Sequence, residues 1–120
     1  MRRVYLVLVL GLLSVSPGLA QRTTTFEALT VSTASVGITS TTLRPAGQAL
    51  ENDYCSLYVS VANIRYRFDG TAPTTSVGVI AGNGDMITID NSEQARAIRF
   101  IRDDAADATL EIHCWRQPSS

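Results

Sequence analysis

Few side chains in this sequence are suited to chemistry, and His113 is the only histidine. A general base needs a nucleophile or a substrate beside it. No G-x-S-x-G elbow or comparable motif supplies one. Alternation with Glu111 and Trp115 puts His113 on the outer face of a strand, as a surface imidazole beside Ser56, and no catalytic set is expected. Asp103, Asp104 and Asp107 offer oxygen ligands of the kind calcium takes. Their spacing lacks the D-x-D-x-D-G pattern of a dedicated loop, so they read as a solvated turn that discourages edge-to-edge strand pairing. Arg65, Arg67 and Arg99 each point away from apolar neighbours and together form a basic stripe suited to a carboxylate or phosphate partner. The competing expectation pairs them with the domain's own Asp and Glu, at ~0–1 kcal/mol per exposed pair. Trp115 with Tyr58 offers an aromatic platform for sugar rings, or else packing at a strand end. No cofactor is expected. Two cysteines 59 positions apart and one histidine do not make a zinc set.

Those residues need strands to place them. Cys55, Leu57, Val59 and Val61 share one face of a strand, and Ala108, Leu110, Ile112 and Cys114 share one face of another. Laid antiparallel with the cysteines opposite each other, Leu57 meets Ile112, Val59 meets Leu110 and Val61 meets Ala108. A Cys55–Cys114 disulfide satisfies that register. Two buried free thiols, or a bridge across two facing sheets, are the alternatives.

Around this pair the chain reads as short strands punctuated by turns. In residues 64–78 (I-R-Y-R-F-D-G-T-A-P-T-T-S-V-G), Ile64, Tyr66 and Phe68 alternate with arginines until Asp69-Gly70 stops the strand. Pro73 keeps the crossing segment out of any central ladder. Gly82 and Gly84 mark a tight turn before a strand with Ile87 and Ile89 inward. Leu29 and Val31 predict a strand over 27–33, with Val36 and Ile38 continuing its phase. Residues 43–53 read as a loop. The apolar phase switches between Val61 and Ile64, which places a turn or bulge at Ala62-Asn63. Asn91 and Gln94 resemble a capping box over one helical turn near 91–95, and 97–102 returns as a strand. This spacing predicts an all-β chain: a small antiparallel β-sandwich or partly open barrel of about seven or eight strands.

Composition bounds the rest. The chain has 120 residues, enough for one domain. Residues 1–20 have the layout of a secretory signal peptide: Arg2 and Arg3, an apolar run over 4–13, then Pro17, Gly18 and Ala20. The run falls short of the ~20 residues that span a bilayer, so the alternative of an uncleaved anchor is disfavoured. A polar, disordered arm is expected over 21–26, the sandwich over 27–116 and a polar tail over 117–120. With eight arginines and all eleven carboxylates after Ala20, the mature chain carries a net charge of −3. That makes it a poor candidate for nonspecific nucleic-acid binding, so no nucleic-acid partner is expected, and no membrane contact is expected once the leader is cleaved.

Five stretches carry a family resemblance: 29–39 (L-T-V-S-T-A-S-V-G-I-T), 64–78, 84–89 (G-D-M-I-T-I), 97–102 (A-I-R-F-I-R) and 108–112 (A-T-L-E-I). In these the chain resembles small proteins encoded among the structural genes of tailed phages. The resemblance implies a β-sandwich in a head, tail or decoration role, working by self-association or on a larger protein surface. The D-G-T-x-P-T segment is also similar to a hairpin in modules appended to chitobiase-like glycosidases. The expected function is an exported, non-enzymatic structural or interaction protein, in the periplasm, outside the cell or on a virion. The alternative is a secreted carbohydrate-binding module resting on Trp115, Tyr58 and Tyr66.

Overall fold

A computed structural model describes residues 24–117. The leader expected at 1–20 and most of the expected tail lie outside these residues. The centre of the fold is the antiparallel pair of β2 (Tyr54–Ser60) and β7 (Ala108–Trp115). Their register sets Cys55 opposite Cys114, Leu57 opposite Ile112 and Val59 opposite Leu110, as the alternation predicts. All six side chains are fully buried. The cysteines form a disulfide, with Cα atoms 4.1 Å apart.

The fourth expected pair does not form. The β2–β7 ladder ends at Ser60 opposite Thr109, and Val61 turns outward, 67% exposed. The chain reverses there, with the Ala62 N–H donating to Ser60 O at 2.9 Å and Val61 held at φ 76°. Ala108 instead lies opposite Val31, on the other flank of β7.

β1 (Thr25–Val31) adds to β7, and β5 (Met86–Ile89) adds to β2, giving a four-stranded sheet ordered β1-β7-β2-β5. Thr25 and Phe26, expected in the polar arm, belong to β1. Thr25 is held by its hydroxyl, which donates to Thr42 O at 2.6 Å. A second sheet, ordered β4-β3-β6, comprises β3 (Ile64–Arg67), β4 (Val79–Ala81) and β6 (Arg99–Arg102). The seven strands make two antiparallel sheets that do not close into a barrel. Their apolar faces meet in one core, where Leu57, Val59, Leu110 and Ile112 join Ile64, Ile98 and Phe100.

Among the described residues two short helices flank the sheets. Val36 does not continue a strand but exchanges both backbone hydrogen bonds with Phe100, covering the edge of β6. Ile38 then enters the core, and α1 (Ser40–Leu43) follows where no helix is expected. Threonines lose side-chain freedom in a helix, so propensity opposes it. Tertiary contacts override that. Thr39 donates its N–H and hydroxyl to the Glu27 carboxylate at 2.8 and 2.6 Å. Asn52, fully buried, donates to Thr42 O at 3.0 Å and to Thr25 Oγ1 at 3.3 Å, and accepts from Gln48 Nε2 at 2.9 Å. The second helix, α2 (Ser92–Ala97), is capped as expected, with Asn91 Oδ1 accepting from the Gln94 N–H at 2.7 Å. It runs two residues beyond the single turn expected, because burial of Ala95 and Ile98 draws the segment onto the core, and β6 starts correspondingly later.

The turn residues divide. Asp69 accepts from the Thr71 N–H at 3.1 Å, Gly70 adopts φ 81°, and Pro73 is buried. Gly82 has no positive φ: the left-handed position of its turn is Gly84, at φ 99°. Gly82 is held instead by its N–H, which donates to Asp85 Oδ2 at 2.7 Å.

Candidate functional site

Strand alternation sends one half of the four-stranded sheet inward and leaves the other half as an open face. Its outward residues are Phe26, Ala28 and Thr30 on β1, Tyr54, Ser56, Tyr58 and Ser60 on β2, Met86 and Thr88 on β5, and Thr109, Glu111, His113 and Trp115 on β7. A continuous band of soft and aromatic groups crosses all four strands. Phe26 lies against His113, with ring centroids 4.8 Å apart. His113 is opposite Ser56, whose hydroxyl is 3.8 Å from Met86 Sδ, and Met86 is opposite Tyr58. Phe26, Tyr58 and Met86 are all exposed. Among the described residues Glu111 is the one carboxylate on this face, and no arginine stands on it.

His113 occupies the surface position expected, but among the described residues no hydroxyl or carboxylate is hydrogen-bonded to its imidazole. Trp115 and Tyr58 share the face without meeting. Trp115 stacks on Tyr54, with centroids 4.6 Å apart, while Tyr58 sits four positions along β2, ~13 Å away at strand rise. Tyr66 packs against the core from the other sheet, with Phe68 edge-on at 5.4 Å, so the expected sugar platform loses that residue.

The expected basic stripe is largely neutralised. Arg65 Nε donates to Asp103 Oδ1 at 2.7 Å and its Nη1 to Gly78 O at 3.1 Å. Arg67 pairs with Asp69. The Arg67 guanidinium, helped by the Thr71 N–H, holds the Asp69 carboxyl below the ordinary aspartate range. Of the acidic turn, Asp103 serves Arg65, Asp107 pairs with Arg102 at 2.6 Å, and Asp104 accepts from the Asn63 N–H at 2.8 Å.

Arg99 differs. It lies opposite Arg67 in the β3–β6 ladder, yet its guanidinium runs to Gly37, where an added Cβ would fall 2.2 Å from Nη1. There it lines a groove of about 470 Å³ between α1 and α2, with Ser40, Thr41, Arg44, Glu51 and Arg96 over Ile38 and Leu43.

Sequence reasoning missed Phe26, Met86, Arg44 and Arg96. Met86 was legible as the outward neighbour of Ile87. Phe26 was hidden by the expected start of β1, and no local pattern brings Arg44 to Arg96. Neither a family model, nor a curated protein, nor a solved structure matches the chain. No helix among the described residues is long and apolar enough to cross a membrane.

Proposed function

We propose that this domain is an exported, non-enzymatic interaction protein that docks through the outer face of its four-stranded sheet. Its partner is a second copy of itself or a larger protein surface. The observation carrying this reading is the composition of that face: Phe26, Tyr58, Met86, His113 and Trp115 among small hydroxyl residues, with Glu111 the sole formal charge among the described residues. Interface cores are depleted in charge and enriched in aromatics and methionine, and contiguous exposed apolar area on a small domain marks a contact surface. The buried cystine suits an oxidising compartment, which agrees with the leader expected at 1–20. A decorating role also agrees with the phage-like motifs.

Sedimentation velocity across a concentration series tests this. Association that is abolished by Phe26→Asp with Tyr58→Asp, in a variant that still melts cooperatively, is the expected result. A monomer at every concentration that also captures no protein from its native surroundings refutes it. The Tyr54–Trp115 stack on the same face supports a second reading, carbohydrate binding. A glycan array that is blank, or unchanged by Trp115→Ala, removes that reading.

A further inference from the structure

The groove between α1 and α2 is off the proposed docking face, and its charge is not balanced. Arg65, Arg67, Arg96, Arg102 and Arg116 each hold a carboxylate. Among the described residues only Arg44 and Arg99 hold none, and both line this one groove. The domain is acidic overall, so carboxylates were available and were placed elsewhere. Arg99 is also half-buried rather than waving in solvent. Gly37 leaves the space its guanidinium occupies, with Ile98 O 3.1 Å from where a Cβ would stand. Arg96 comes from α2 and is oriented by Glu51, its Nε donating to Oε1 at 2.9 Å. Arg44 caps the C-terminus of α1.

We propose that this groove binds carboxylates, borne on a di- or tricarboxylic acid or on the Asp and Glu side chains of a partner. Guanidinium forks match a carboxylate with two parallel hydrogen bonds. Three arginines from three separate elements are spread along a groove of about 470 Å³, far larger than one phosphate. Glu51 in its wall repels a compact dianion more than spaced monoanions. The hydroxyls of Ser40 and Thr41 supply neutral donors, and Ile38 and Leu43 accept the ligand's carbon chain. The site thus answers to spaced carboxylates over a short apolar backbone.

Isothermal titration of the mature protein with citrate, with a penta-glutamate peptide and with inorganic phosphate tests the assignment. Binding of citrate or the peptide, weakened at least about tenfold by Arg99→Gln and by raised salt, is the expected result. Citrate binding alone assigns a small acid, and peptide binding alone assigns a protein partner. Arg99→Lys, which keeps the charge and loses the fork, is expected to recover only part of the affinity. Gly37→Ala, which displaces the guanidinium, is expected to weaken binding while Arg99 remains. Absence of binding to both carboxylate probes, phosphate binding as tight as either, or affinity untouched by Arg99→Gln overturns the proposal. None of these readouts depends on self-association, so the docking reading stands or falls separately.

Discussion

Replacing both cysteines, Cys55→Ala with Cys114→Ala, separates two roles that a cystine can play. The bond joins residues already opposite each other in the β2–β7 ladder of one sheet. It adds no link between the two sheets, so its stabilisation is expected to come from the unfolded chain, where it closes a loop across a separation of 59 residues. The chain-entropy relation gives about 4 kcal/mol for such a loop. Domains of this size hold roughly 5–14 kcal/mol in total, so the variant is expected to stay folded with roughly 1–10 kcal/mol left. At 4–8 °C per kcal/mol, the melting temperature is expected to fall by about 20 °C. The assay is thermal and urea unfolding beside a two-dimensional amide NMR spectrum. The spectrum below the lowered midpoint is expected to change only near positions 55 and 114, because the native contacts remain. A midpoint drop below about 5 °C would refute the argument from the unfolded chain. Spectral change spread through both sheets would refute it too, by showing that the bond maintains native packing. The buried sulfurs also predict that a mild reductant at neutral pH leaves the bond intact until denaturant is added.

Gly78→Ala is expected to destabilise by about 1–3 kcal/mol in urea unfolding, since φ 135° suits glycine and a Cβ there meets Pro73 Cβ at 3.0 Å and Arg65 Cβ at 3.3 Å. Val61→Gly is expected to do the opposite. The exposed valine buries little and sits at φ 76°, so relief of about 1 kcal/mol should outweigh glycine's entropy, and a lowered urea midpoint would contradict this. Asn52→Ala removes a side chain that joins Thr25, Thr42 and Gln48 and is expected to cost about 2–3 kcal/mol, read by the same unfolding curves. NMR titration of Asp69 should give a pKa below the ordinary aspartate value, moving up in Arg67→Gln. A depressed carboxylate stabilises the fold above its unfolded pKa and loses that stabilisation as pH falls through its folded value, so the Arg67→Gln difference in midpoint should shrink in acid.

The two-sheet β fold and the cystine were legible because they rest on period-two alternation over long strands. In β7, Ala108, Leu110, Ile112 and Cys114 are all buried and their neighbours are not. Alternation carries no information about where a strand stops, so it extends β2 one residue too far and predicts Val61 inward. Short elements are less legible: three of the four residues of α1, Ser40, Thr41 and Thr42, have poor helix propensity, and the helix is held by Glu27 and Asn52 from distant positions. The candidate groove was illegible for the same reason, since Arg44, Arg96 and Arg99 converge only after α1 and α2 pack. Alternation puts Arg65 and Arg67 on one stripe, but their partners Asp103 and Asp69 lie in turns, whose course alternation does not define.

The cystine bears on the docking face as well as on stability. β2 and β7 carry most of that face, from Tyr54 and Tyr58 to Glu111, His113 and Trp115. A slip of one residue between them would turn the apolar set of one strand, Leu57 or Leu110 with its neighbours, outward, and the core forbids it. A slip of two residues would keep every apolar side chain inward. It would part Trp115 from Tyr54 and His113 from Ser56, leaving an outer face of similar composition and different shape. Hydrophobic burial discriminates weakly against that arrangement. The bond between Cys55 and Cys114 excludes it outright, because only one register sets the two cysteines opposite each other. The apolar pattern therefore decides which residues face outward, and the covalent link decides how they line up, which is the property a shape-specific contact requires.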